Sequence, residues 1–139
     1  MSPVEVAKRC AEIMWTNDNA SKDLGIVLDT IGPGYAEMSL VIRDRHLNGH
    51  SICHGGFIFT LADSAFAFAC NTYNVTTVAQ NNSITFIRPA LKDQKLVAKA
   101  CEVDKSERSG IYDVCVVNDS HKVVAQFRGH SRTIKGKHF

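Results

Sequence analysis

Asn48-Gly49-His50-Ser51-Ile52-Cys53-His54-Gly55-Gly56 runs without a break into Phe57-Ile58-Phe59-Thr60-Leu61-Ala62-Asp63-Ser64-Ala65-Phe66-Ala67-Phe68-Ala69-Cys70, and the fold turns on this junction. A polar, turn-rich segment ends in two glycines and opens a run that is apolar on nearly every side. The run is too long for an ordinary strand, and its alanines and leucine favour helix. Thr60, Asp63 and Ser64 stand at i, i+3 and i+4, so they share one helical face, with Gly56 one turn before them. The rest of the helix is expected to be buried. An aspartate in such a helix is costly to ionise, which raises its pKa. The helix begins where Gly55 and Gly56 bring backbone N–H groups to the positive end of its dipole, a setting suited to a developing oxyanion. Each feature alone has a plainer explanation, a structural carboxylate or a tight turn. Together they offer a base and an oxyanion donor on one element. Their eight-residue separation is roughly 12 Å along a straight helix, too far for one carbonyl. If the two cooperate, the second comes from another copy of the chain.

Outward from this helix the chain reads as strand. On the N-terminal side, Leu24–Ile31 and Tyr35–Ile42 are strand-like around Gly32-Pro33-Gly34, a hairpin signal. Ser2-Pro3 starts a short amphipathic helix with Val4, Ala7, Ala11 and Met14 on its apolar face. It is expected to end at the turn cluster Asn17-Asp18-Asn19. Arg43–Cys53 reads as a polar loop. After the central helix, which runs to about Asn71, come Val75–Ile87, Leu96–Lys105, Tyr112–Asn118 and Val123–Ile134, with turns near Ser106–Gly110 and Asn118–His121. Strands on both sides of one apolar helix imply an α+β fold, an antiparallel sheet wrapped around a central buried helix. No linker or repeat divides residues 1–139, which read as one domain.

Composition narrows the function. With 22% charged residues and a net charge of +2, the chain carries no basic stripe interleaved with aromatics, and no nucleic-acid partner is expected. Glu5, Lys8, Arg9 and Glu12 break any leader pattern at the start, and Asp63 interrupts a run already short for a membrane span. The chain reads as cytoplasmic, with no membrane partner. Five cysteines, 10, 53, 70, 101 and 115, form no CxxC pair. Cys70, Cys101 and Cys115 lie among apolar residues and read as reduced core thiols. His46, His50, Cys53 and His54 are metal-ligand types close together, but Asn48-Gly49 interrupts any helical presentation and no second cluster follows. No metal is expected.

Asn48, His54-Gly55-Gly56 and Leu61-Ala62-Asp63 resemble the hotdog-fold acyl-CoA thioesterases, in particular the phenylacetic-acid-degradation (PaaI-type) branch. The resemblance extends to His46-Leu47-Asn48-Gly49, Phe86-Ile87-Arg88-Pro89 and Arg128-Gly129, from about Leu24 to about Ile134. It implies a hotdog fold whose subunits pair side by side into one larger sheet, often as a dimer of dimers with shared active sites. It implies further that Asp63 activates water or attacks the thioester carbonyl, that the Gly55 N–H is the oxyanion donor, and that Asn48 donates to the carbonyl or orients the water. His54 then supports the loop or the substrate, and Gly56 permits the turn. In the strand after the helix some relatives carry a water-holding hydroxyl where this chain has Ala79, followed by Gln80, Asn81 and Asn82; either Thr60, Ser64 or an asparagine such as Asn81 takes over, or the water is held less firmly. Arg88, Lys105 and Arg108 are candidate contacts for coenzyme A phosphates. Coenzyme A is part of the substrate, and no separate cofactor is implied.

The leading expectation is hydrolysis of an acyl-CoA, with hydroxylated phenylacetyl-CoA or a similar aryl-acyl group as the first substrate class. Medium- or long-chain fatty acyl-CoA is the alternative within the same chemistry. A non-catalytic acyl-CoA sensor is disfavoured by the presence of Asp63 and the lack of an attached DNA-binding segment.

Overall fold

Two helices precede the sheet. The computed structural model describes residues 1–139. Helix α1, Pro3–Asn17, starts with proline at its first position and the Ser2 hydroxyl accepting from the Glu5 N–H at 3.2 Å. Its buried face is Ala7, Cys10 and Ala11, while Val4 is exposed. Asp18 does not end the helical region: its carboxylate accepts from the Ser21 N–H at 3.0 Å and caps a second helix, α2, Asn19–Leu24. Gly25 closes α2 in the left-handed conformation, φ 84°. The strand expected from Leu24 therefore begins later, as β1, Val27–Gly32.

Strand β2, Tyr35–Val41, returns through the glycine hairpin, where Gly34 has φ 66°. A short 3-10 turn, Asp44–His46, leads through the polar loop to α3, Gly55–Cys70. Then follow β3 (Thr77–Phe86), β4 (Lys95–Lys105), β5 (Ser109–Val117) and β6 (Val123–Thr133). β3 starts two residues after the expected Val75 because buried Asn71, at the end of α3, clamps both the N–H and the C=O of Thr77 at 2.9 Å. β5 starts three residues before Tyr112, because the turn tightens to Ser106–Ser109.

The six strands form one antiparallel sheet in the order β1-β2-β4-β5-β6-β3. Alternation along the strands sends Met38, Ala98, Val114 and Phe127 into the core that α3 shares through Leu61, Ala65 and Phe66. The same alternation corrects the cysteine reading. Cys101 is exposed and Cys115 half-buried, on the face turned away from α3; the buried thiols are Cys10, Cys53 and Cys70, and all five are free. The central helix is also less completely buried than expected, since Phe57, Phe59 and Ala67 are half-exposed. No helix is long and apolar enough to cross a membrane.

β3 is an edge strand, and one irregularity in it positions the site. Ala79 pairs with Ser131 and Asn81 with His130, so Gln80 is an extra residue, a β-bulge. Beyond it Asn82 pairs with Gly129, on the helix-facing side, and Asn81 falls on the outer face with exposed His130.

Candidate active site

The start of α3 is built by the histidine before it. His54 is the cap, and its Nδ1 accepts from the Gly56 N–H at 2.8 Å. The His54 carbonyl accepts from the Phe57 and Ile58 N–H groups. No hydrogen bond engages the Gly55 N–H, which is left as the open donor at the positive end of the helix. The missing side chain matters too: a Cβ on Gly55 would stand 3.0 Å from the Phe86 ring.

Gly55 borders a cavity of about 530 Å³, with Asn48, Ile58, Phe86, Ile87 and Arg88 among its walls. Asn48 Oδ1 is committed to the loop, accepting from the His50 N–H at 2.9 Å and more distantly from Ile52. Its Nδ2 makes no protein hydrogen bond and is the free polar end. Buried His46 holds the same loop, with Nδ1 accepting from the Arg43 N–H and Nε2 bonded to the Leu24 carbonyl. His46 and His54 are thus braces, while the exposed His50 ring makes no hydrogen bond, and no group of three metal-ligating side chains converges anywhere in the chain.

Asp63 lies two turns further along α3 and takes no part in lining that cavity. Burial pushes its carboxyl up from the usual range, and a hydrogen bond from Asn82 Nδ2 to Asp63 Oδ1, 2.9 Å, pulls it partly back. The continuous helix keeps the separation from Gly55 at roughly 12 Å. A desolvated carboxylate and an open oxyanion donor therefore belong to two different places on one chain.

The family model for the thioesterase superfamily matches residues 50–125. The chain is 40% identical to the acyl-coenzyme A thioesterase PaaI of Escherichia coli strain K12, over 91% of this chain and 90% of that one. The chain belongs to the thioesterase superfamily. The structure of the E. coli PaaI protein from the phenylacetic acid degradation operon superposes on this thioesterase with a TM-score of 0.96 at 39% identity, covering 98% and 99% of the two chains. A mutant form of the phenylacetic acid degradation protein PaaI from Thermus thermophilus gives 0.81 at 37% identity, covering 84% and 100%. Helix and sheet together form the hotdog fold of PaaI-type enzymes.

The thioesterase distributes the remaining sequence candidates unevenly. Arg88 reaches the cavity and donates to the Val123 carbonyl. Thr60 turns its hydroxyl back onto the Gly56 carbonyl, 2.9 Å. Ser64 faces α2, 3.5 Å from the Ser21 hydroxyl, and not the Asp63–Asn82 pair. Ala79 precedes the bulge, and Asn81 lies on the outer face. Lys105 stacks over the Tyr73 ring at 4.4 Å, and Arg108 stands in the exposed β4–β5 turn, both remote from the cavity lining. The asparagine that meets Asp63 is Asn82, the neighbour of the candidate Asn81.

Proposed function

We propose that this thioesterase hydrolyses an arylacetyl-CoA, such as a hydroxylated phenylacetyl-CoA, to the free acid and coenzyme A, at sites shared between two subunits. The observation that carries the reading is the open Gly55 N–H on an apolar cavity, set against a desolvated carboxylate on the same helix. Gly55 stabilises the oxyanion that forms as the thioester carbonyl is attacked. Asp63, in its ionised form, supplies the base or the nucleophile. Asn48, through its free Nδ2, is a second donor to the carbonyl, and Arg88 is the basic group nearest the cavity for a coenzyme A phosphate. His54 supports both by fixing the helix start.

Because Gly55 and Asp63 are too far apart to meet one carbonyl, each site takes its Gly55 half from one subunit and Asp63 from the other. The free edge of β3 supports side-by-side pairing. It has no strand beyond it, and Val78, Phe86 and Ile87 are exposed along it. A dimer of dimers is the proposed assembly, in the cytoplasm with its coenzyme A substrate. The reaction needs no metal or separate cofactor, since the carboxylate and the helix end supply the chemistry.

A panel of aryl-acyl and fatty acyl-CoA thioesters, followed with a thiol reagent, tests the reading. Turnover is expected with both classes absent chelatable metal, with higher kcat/KM for the arylacetyl thioesters. Failure to release coenzyme A from any member overturns it, and preference for long alkyl chains overturns the acyl assignment.

A further inference from the structure

Of the seven phenylalanines in this chain, one has no partner. Phe57, Phe59, Phe66, Phe68 and Phe127 each meet another aromatic ring, and Phe139 carries the Arg9 guanidinium at 4.6 Å. Phe86 has neither ring nor cation against it and is 51% exposed.

Its position is nevertheless well defined. Beyond the bulge, alternation turns Asn82, Ile84 and Phe86 toward α3, opposite Gly129, Phe127 and Ala125 of β6. Ile84 packs against the core, and Phe86, two residues on, reaches the head of the helix. There the tip of its ring lies over Gly55: Cζ, Cε1 and Cε2 are 3.0 to 3.4 Å from where a Cβ on that glycine would stand. The backbone that follows is pinned, because the Ile87 and Arg88 N–H groups both donate to the Val124 carbonyl, at 2.8 and 3.2 Å. The ring is the one aromatic wall of the cavity that Gly55 borders.

We propose that Phe86 is a specificity-determining residue, whose open ring packs against the aryl group of the substrate when the thioester carbonyl sits on the Gly55 N–H. This rests on the readings of Gly55 as the oxyanion donor and of the substrate as an arylacetyl-CoA, and it names the side chain that selects the acyl group. A thioester held at Gly55 extends two arms from its carbonyl. The coenzyme A arm carries amides that need hydrogen-bond partners, and a bare ring offers none. The acyl arm of an arylacetyl-CoA carries an aromatic ring one methylene from the carbonyl carbon. Two rings in offset or edge-to-face contact, with centroids about 4.5–7 Å apart, attract beyond what burial of the same apolar area gives. The neighbouring walls Ile52, Ile58, Ile87 and Pro89 are aliphatic and accept any apolar group alike. Phe86 is therefore the wall at which an aryl group and an alkyl group of the same size are told apart.

Hydrolysis of phenylacetyl-CoA and of cyclohexylacetyl-CoA tests this, since the two acyl groups share size and spacing and differ in aromaticity. The ratio of their kcat/KM values, taken on one preparation, does not depend on how much of that preparation is folded or assembled. Wild type is expected to favour phenylacetyl-CoA. Phe86→Leu should shrink that preference about three- to tenfold, mainly through KM, because the contact is already made on binding. If wild type releases coenzyme A from neither thioester, the substrate reading itself fails. If wild type cleaves both without preference, or Phe86→Leu leaves the ratio where it was, the ring only packs the helix head or the subunit seam. The role given to Phe86 is then overturned while the hydrolase stands. Should Phe86→Leu not fold, Phe86→Met, which fills the space without a ring, decides by the same ratio.

Discussion

His54 Nδ1 takes the N–H of Gly56, and so leaves the N–H of Gly55 as the open donor at the head of α3. The cap is both structural and selective, since it decides which of two adjacent amides is available. Replacing His54 by alanine removes the cap. We expect a loss of about 1 kcal/mol in stability, read by chemical denaturation, together with a lower kcat because Gly56 no longer has a fixed partner. Unchanged stability would show that the ring is incidental to the helix start.

Gly55→Ala is expected to act on catalysis more than on folding. Its Cβ would meet the Phe86 ring at 3.0 to 3.4 Å, and alanine is otherwise favoured in a helix. Displacing the amide or the ring misplaces the oxyanion donor, which costs about 10²–10³ in kcat when such a donor is lost. Wild-type kcat with an intact fold would remove Gly55 from the site.

Asp63→Asn should trade turnover for stability in a pH-dependent way. Burial raises the Asp63 pKa, so ionisation is harder in the folded chain than in the unfolded one. The favourable contribution is fully present below the ordinary aspartate pKa of about 3.9. It is lost as pH rises through the raised folded value. At neutral pH the variant should therefore melt above wild type, with the gap closing on acidification. Thermal unfolding across pH checks this, and a gap that does not vary with pH would mean that ionising Asp63 carries no folding penalty.

Subunit mixing tests the shared site. Asp63→Asn and Asn48→Ala chains, each inactive alone, are mixed under conditions that allow exchange. A mixed dimer then has one site with both lesions and one with neither, so statistical mixing should restore about a quarter of wild-type activity. No recovery after verified exchange would place both halves of the site within one chain.

Gly129→Ala tests the packing of α3 on the sheet. A Cβ there would lie 2.7 Å from the ring of fully buried Phe66. Overpacking of this kind costs about 1–3 kcal/mol. A matching fall in the denaturation midpoint is expected, and a neutral result would mean the helix can shift outward at little cost.

Much of the fold and part of the site are legible in the sequence. The largely apolar run from Phe57 to Cys70, with its polar residues on one helical face, and the hairpin glycines Gly32 and Gly34 specify their elements through local chemistry alone. The helical spacing likewise puts Gly55 and Asp63 too far apart to share a carbonyl. What stays hidden depends on non-local pairing. Helix α2 is six residues long and stands on the Asp18 cap and on Ser21 packing near Ser64; Asp18 looks like a turn residue because it ends one helix and caps the next. Cys101 and Cys115 share their strands with core residues but point to the opposite face. Counting by two from Ala79 selects Asn81 and Ser83, and only the extra residue in β3 brings Asn82 to Asp63 instead.

That extra residue gives β3 one position where chain length is negotiable. Both flanks of Gln80 already pair with consecutive residues of β6, Ala79 with Ser131 and Asn81 with His130. Deleting Gln80 would close the ladder without turning any neighbour over. Deleting Ser83 would force either Asn82 or Ile84 onto the wrong side of the sheet. Insertions and deletions drifting through this strand are therefore filtered by site: they are absorbed at Gln80, and two or three residues later they uncouple the carboxylate from its amide.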